Sequence, residues 1–304
     1  MTTTGNTLSK HSHEQRTAVI LGLLSVLAFS LTLPFNKIAI HALTGIEIGV
    51  VRSIIAGSVA VLILLITKSK LPNSRQIFQL YLASIGLIYG FPILSAQAMK
   101  SVPVSHGAVV LAILPLATAV WGILFSRKNM SKSFWAWSLV GASLVLCYVL
   151  FRHGLGSMAQ FAVGDFYLGV AVILAGFGYA MSGKLSSEMK GWQVMCWLLT
   201  INLPILLVLA YWLVEWQKLL IMTPTQTLAM GYLSMVSGLF GFFMWNKALA
   251  MGGIAKISQL QLLQTFFTYG IAILFMGEIL DWVSLAVGVL VVFCVWQIQQ
   301  SAKK

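Results

Sequence analysis

Side chains able to hold a small solute recur at helical spacing inside apolar sequence. Gln261, Gln264, Thr265 and Thr268 stand at i, i+3, i+4 and i+7, one face of one helix. Moving an amide or hydroxyl from water into an apolar medium costs roughly 2–7 kcal/mol unless it is hydrogen-bonded, so this face must meet protein or water. Two arrangements satisfy it: hydrogen bonds to neighbouring helices, or the wall of a substrate cavity. The matching face of the 104–126 stretch carries Leu111, Leu114, Pro115 and Thr118. Pro115 there removes a backbone hydrogen bond, which either kinks the helix or opens it as a gate. Phe29, Thr32 and Asn36 share another face, Tyr179 stands alone, and Phe242, Trp245 and Asn246 are clustered. Rings beside amides suit an amphiphilic solute with an apolar body and a hydrogen-bonding head. Each ring taken singly also fits ordinary packing or an interfacial belt, for which Trp245, near the end of its run, is the obvious candidate.

The ionisable residues leave little room for acid–base work. All seven acids fall in tails, loops or helix ends, so the deep carboxylate relay of many proton-driven carriers is missing. Facilitated movement down the solute's own gradient is then expected, with His106 and Glu278 as rim candidates for proton coupling. Lys37, Arg52 and Lys100 stand near the outer ends of helices and Lys247 near an inner end, where snorkelling or loop pairing accounts for them. For a solute bearing a carboxylate, Lys37 and Arg52 are the first cations to meet from outside.

Enzymatic constellations are absent: there is no HExxH, no GxSxG and no carboxylate pair within an apolar run. We therefore expect no enzyme, no catalytic residue, no cofactor and no metal site. Gly178-Tyr179-Ala180-Met181-Ser182-Gly183-Lys184 fits the start of a phosphate-binding GxxxxGK loop, but Leu185 comes next, where Ser or Thr must meet magnesium. Cys147, Cys196 and Cys294 lie in apolar runs without metal spacing and read as small buried hydrophobes.

The elements that must position these residues are set by composition. The chain has 304 residues, 59% of them hydrophobic and 9% charged, against about 25% charged in an ordinary soluble domain. With a mean hydropathy of +0.92, the polar coat of a soluble globule is what is lacking. The net charge of +12 is then the Lys/Arg excess of cytoplasmic loops rather than a nucleic-acid footprint. A bilayer-spanning helix needs about 20 apolar residues. Ten such runs lie at 18–38, 46–66, 77–99, 104–126, 133–151, 165–185, 192–214, 227–250, 255–276 and 282–298. With both termini in the cytoplasm, only Lys37, Arg52, Lys100, Arg152 and Lys218 face outward and the other basic residues face in. No cleaved signal peptide is expected, because the first apolar run continues past Phe35.

The runs divide into a cytoplasmic tail (1–17), a first unit (18–152), an external linker (153–164), a second unit (165–298) and a cytoplasmic tail (299–304). Ala98–Leu116 parallels Ala248–Phe266 at an offset of 150, setting His106 over Lys256 and Pro115 over Thr265. Lys37 and Lys184 correspond at an offset of 147. Five spans per unit make the second copy enter the membrane from the opposite side, the inverted architecture of alternating-access transporters. Gly86-Leu87-Ile88-Tyr89-Gly90 is a GxxxG, read as close helix packing within the monomer, with dimerisation as the alternative.

The stretch Ala28-Phe29-Ser30-Leu31-Thr32-Leu33-Pro34-Phe35-Asn36-Lys37, with Arg52-Ser53-Ile54-Ile55-Ala56-Gly57 after it, resembles the opening of an EamA repeat of the drug/metabolite transporter superfamily. Phe275-Met276-Gly277-Glu278-Ile279-Leu280-Asp281-Trp282, running into Gly288, resembles the Gly-Glu signature that closes such a repeat. The first half departs from it, with Ser126-Arg127 where the second has Gly277-Glu278. The resemblance implies an all-α integral membrane protein of ten transmembrane helices in two inverted five-helix repeats. It also implies a function: transport of a small metabolite, often amino-acid export across the inner membrane. The expected partners are a small-molecule substrate and the lipid bilayer, without nucleic acid, in a monomer or weak dimer. A membrane-embedded binding or assembly protein without transport is the alternative, and an integral membrane enzyme a third, which the missing catalytic residues disfavour.

Overall fold

The computed structural model describes residues 3–126, 131–153, 163–252 and 257–301, which form helices joined by short turns and connections, without a strand among them. The first helical stretch comprises α1 (Thr3–Ser30) and α2 (Thr32–Ala39), and α3 is Gly45–Ile66. Next come α4 (Ser74–Ser84), a π-helical segment (Ile85–Gly90) and α5 (Phe91–Ala98), then α6 (Val104–Leu111), α7 (Leu114–Ser126) and α8 (Lys132–His153). The second half runs through α9 (Val163–Leu185), α10 (Gly191–Leu213) and the short α11 (Trp216–Leu220). It continues through α12 (Pro224–Gly231), a second π segment (Tyr232–Phe240) and α13 (Gly241–Gly252). A 3-10 turn (Ser258–Gln261), α14 (Leu262–Met276) and α15 (Trp282–Ser301) complete it.

Seven of these stretches are long and apolar enough to cross a bilayer: Glu14–Ala39, Gly45–Ile66, Ser74–Ala98, Val104–Phe125, Val163–Leu185, Gly191–Leu213 and Pro224–Gly252. Leu262–Met276 and Trp282–Cys294 are apolar but shorter. The polar leader before residue 18 is continuous with the first span as part of α1, which starts at Thr3. Burial is inverted relative to a soluble protein. Leu65, Ile66, Tyr211 and Trp212 are exposed, while Ser30, Asn36, Asn202, Ser234 and Asn246 are buried. An apolar surface of this extent is stable only against lipid or protein.

The two halves repeat each other in details that hydropathy does not carry. Asn73 and Gln76 form a reciprocal capping box at the start of α4, and Thr223 and Gln226 form the same box at the start of α12. A π segment comes after each. The span containing Pro115 breaks at Ala112–Ile113, because Pro115 has no N–H for the Leu111 carbonyl. Ala112 and Ile113 bond instead to Val109 and Val110, three residues back. One repeat length later the 3-10 turn at Ser258–Gln261 gives way to α14. Contacts obey an exchange of halves: α1 packs on α13 as α9 packs on α5, while α3 meets α10, α6 meets α14 and α8 meets α15.

The first span is interrupted at Leu31, and the cause is Pro34. Its missing N–H frees the Ser30 carbonyl, which accepts instead from Thr268 Oγ1 at 2.8 Å. Gly86 lets the first π segment lie directly on α9; a Cβ there would fall 2.0 Å from the Leu174 carbonyl oxygen. The GxxxG therefore serves packing within the chain.

Candidate functional site

Interruptions of regular helix from both halves converge on one small cavity. Phe29 at the end of α1 and Thr32 in α2 form one side. Arg52 of α3, Leu87 of the first π segment, and Phe91 and Pro92 of α5 form another. From the second half come Tyr179 of α9, Ser237 of the second π segment, Phe242 of α13 and Gln264 of α14. The volume is about 10 Å³, room for one water, so the wall side chains nearly fill the space they enclose. Non-α backbone at such a place is typical of functional sites in membrane helices.

Polar groups line the cavity in a short chain. Arg52 Nη2 donates to Ser237 Oγ at 3.3 Å, and Ser237 Oγ lies 2.8 Å from Thr32 Oγ1. Because the guanidinium only donates, the Ser237 proton is free to point at Thr32. Gln264 Nε2 donates to the Phe29 carbonyl at 3.4 Å. Gly238 lets the π segment close on itself, since a Cβ there would stand 2.8 Å from the Leu233 carbonyl oxygen.

Aromatic rings fill the space between Arg52 and the end of the bundle where α10 begins. Phe29 and Phe242 stand 5.1 Å apart, Tyr179 and Phe242 5.7 Å, and Trp245 lies 6.2 Å from Phe29 and 6.1 Å from Tyr179. Asn246 locks this layer, accepting from Ser182 Oγ at 2.9 Å and donating to the Gly191 carbonyl at 3.0 Å. The same end carries two larger clefts. One of about 640 Å³ is lined by Lys70, Gln76, Glu188 and Lys190, and one of about 480 Å³ by Trp192, Phe243 and Lys247.

The opposite end is tied by charged side chains. Glu47 completes a capping box with Thr44, accepts from the Glu215 N–H at 3.1 Å and pairs with Lys218 at 3.5 Å. Glu278 accepts from the Val104 and Ser105 N–H groups at 2.7 and 2.9 Å, capping α6 from across the fold. Gly277 makes this reach possible: its left-handed backbone (φ 68°) ends α14 and turns Glu278 toward α6.

Of the residues singled out in the sequence, Phe29, Thr32, Tyr179, Phe242 and Gln264 reach the cavity wall. Trp245 is fully buried behind it, which overturns the reading of an interfacial belt. Asn36 donates to Ser95 at 3.2 Å, and Thr118 bonds back to the Leu114 carbonyl, so both act in packing. Asn246 belongs to the clamp, and Thr265 is buried away from the cavity with its methyl toward Gly288. Gln261 is buried with no hydrogen-bond partner for its amide among the described residues. Pro115 sits at the break between α6 and α7. His106 is buried against Asp165, and its ring lies 5.1 Å from that of Tyr148. It is therefore no open rim group.

Two expectations about charged and thiol groups change, those for Arg52 and Cys147, while Lys37 pairs with loop carbonyls as expected. Arg52 does not snorkel; only 5% of it is exposed, because the chain enters the bundle at Gly45 and Arg52 comes two turns later. Lys37 is spent on the Met99 and Val102 carbonyls at 2.7 and 3.3 Å. Cys147 is exposed, whereas Cys196 and Cys294 are buried. Lys256 and Arg127 lie outside the described residues.

The sequence matches the model of the EamA-like transporter family twice, over residues 16–155 and 162–298. It is 36% identical over 284 residues to the uncharacterized transporter YdeK of Bacillus subtilis (strain 168), covering 93% of this chain and 97% of that one. A solved crystal structure superposes with a TM-score of 0.63 over 95% of this chain and 98% of its own; at 13% identity this shows the fold alone. Two matched repeats spanning nearly the whole chain, with a relative of that identity along nearly its full length, place this protein in the EamA-like transporter family.

Proposed function

We propose that the protein carries a small, partly apolar, amino-acid-like metabolite out of the cell by alternating access. The observation that carries this reading is the composition of the central cavity: both repeats contribute walls to it, at the points where their helices leave α geometry. In this reading the chain spans the inner (plasma) membrane ten times, α8, α14 and α15 completing the seven longer spans. The halves (18–152 and 165–298) are inverted about an external linker at 153–164. The termini, and the end bearing Lys70 and Lys190, face the cytoplasm. Rocking of one half against the other opens the aromatic layer inward or the tied end outward, with Pro115 at a hinge. The working unit is a monomer or weak dimer.

Phe29, Tyr179 and Phe242 receive the apolar body and Thr32, Ser237 and Gln264 the polar head. Asn36, Thr118, Trp245, Asn246, Gln261 and Thr265 support that shell from behind. Movement is facilitated, with His106 the remaining coupling candidate and Glu278 occupied as a cap. The test is flux into proteoliposomes for branched and aromatic amino acids and their oxo acids. Saturable flux above protein-free vesicles is expected for at least one; linear leak for all refutes transport of this solute class. Topology is tested with Ser131→Cys, expected to resist an impermeant maleimide in intact cells, and Ser157→Cys, expected to react, although Ser157 lies outside the described residues.

A further inference from the structure

Arg52 is a permanent cation inside the cavity, and no acid among the described residues neutralises it. A guanidinium presents five N–H donors and does not deprotonate in proteins. Here Nη2 makes one 3.3 Å bond to a neutral hydroxyl, and Nη1 has no partner among the described residues. Glu47, on the same helix, is committed to Thr44, Glu215 and Lys218. No other carboxylate among the described residues lies within ion-pair distance of Arg52. An uncompensated buried ion costs several kcal/mol, and a structural arginine would normally be fully paired. The missing partner is an oxyanion that fits a planar fork, and one guanidinium balances the single charge of a carboxylate rather than the roughly double charge of a phosphate monoester.

The rest of the wall narrows the choice. Phe29, Tyr179 and Phe242 offer ring faces to an apolar body, and Thr32 and Gln264 offer neutral polar groups. Among the described residues, no acid lines the cavity to receive an ammonium group. The geometry points to a monocarboxylate with an apolar body and no amino group as the solute, its carboxylate held by Arg52. This inference rests on the central cavity being the transport site, and it selects, within amino-acid-like solutes, the deaminated form over the zwitterion. Facilitated passage of such a solute moves one net negative charge, so it responds to membrane potential.

The experiment uses matched pairs: 4-methyl-2-oxopentanoate with leucine, phenylpyruvate with phenylalanine, and indole-3-pyruvate with tryptophan. Thermal melts of the full-length protein in detergent report binding by mass action. At least one oxo acid is expected to raise the Tm, with its amino acid needing at least about tenfold more for the same shift. Arg52→Gln is expected to abolish that preference and Arg52→Lys to retain part of it. Equal or better stabilisation by the amino acids, no stabilisation by any oxo acid, or an unchanged preference in Arg52→Gln each overturns the assignment. Should Arg52→Gln fail to fold, wild-type liposomes decide alone. A potassium diffusion potential of about 60 mV should drive roughly tenfold accumulation of the oxo acid and none of the amino acid; no response of the oxo acid overturns the inference. Phe242→Ala separates the two levels. If it lowers flux while Arg52→Gln does not, only the carboxylate assignment falls; if neither changes flux, the cavity is not the path.

Discussion

Replacing Glu278 with Ala removes both carboxylate oxygens from the start of α6, and the cost is set by the donors left behind. The helix opens after Pro103, whose side chain cannot cap it, and the N–H groups of Val104 and Ser105 donate to Glu278 at 2.7 and 2.9 Å. Both residues are buried, Val104 completely, so water cannot take over fully. A buried donor left without a partner costs about 1–3 kcal/mol and loss of an N-cap about 0.5–2 kcal/mol. Because the two descriptions overlap, the expected destabilisation of Glu278→Ala is about 2–4 kcal/mol. Glu278→Gln keeps one acceptor oxygen and loses the charge, so about half that loss is expected. Reversible unfolding in mixed micelles with increasing sodium dodecyl sulfate measures both. An unfolding free energy for Glu278→Ala within about 0.5 kcal/mol of wild type would refute the capping argument. Flux under an imposed pH gradient should be the same for Glu278→Gln and wild type; loss of the pH response would return Glu278 to a role in coupling.

Gly86→Val should destabilise by about 1–3 kcal/mol or more through the Leu174 carbonyl, whereas Gly169→Ala, with nothing within 4 Å of the added carbon, should stabilise slightly; thermal melts of the two compare them directly. Gln264→Leu should lower flux severalfold while its unfolding free energy stays within about 1 kcal/mol of wild type, because its one bond, to the Phe29 carbonyl, is long at 3.4 Å. Aggregation of Gln264→Leu with normal flux in Asn36→Leu would make that face structural. Gly277→Ala places a Cβ in a left-handed backbone (φ 68°) and should cost about 1–2 kcal/mol, read in the same micelle titration, with part of the Glu278 cap lost as well.

Periodicity and proline were the legible parts of the sequence. Runs of apolar residues located the helices, and Pro115 marked a real break. The Gln264 and Thr268 face did need partners, and it found them on α1, where Pro34 frees the Ser30 carbonyl. Arg52 is not placed by its position in a run, because distance from a run's end says nothing about which way a side chain faces, and Arg52 points inward. Trp245 misled for the same reason. Leu87, Phe91, Pro92 and Ser237 were missed because the two π segments shift the helical phase, so spacing rules for a regular helix select the wrong neighbours. Ser237 itself carries the one available hint, because a hydroxyl in mid-span needs a hydrogen-bond partner.

The two π segments also set the rotational phase of α5 and α13, the helices that continue from them. Each holds surplus residues that a regular α-helix would have to spread over its turns. Absorbing one residue would turn everything beyond by about 100° relative to everything before. Phe91 and Pro92 lie directly beyond the first segment and Phe242 just beyond the second. A change of winding at Ile85–Gly90 or Tyr232–Phe240 would thus swing these side chains away from Arg52 by rotation about the helix axis, while the capping boxes at Asn73 and Thr223 keep the helix starts in place. The winding of each π segment therefore fixes which side chains of its own half face the cavity.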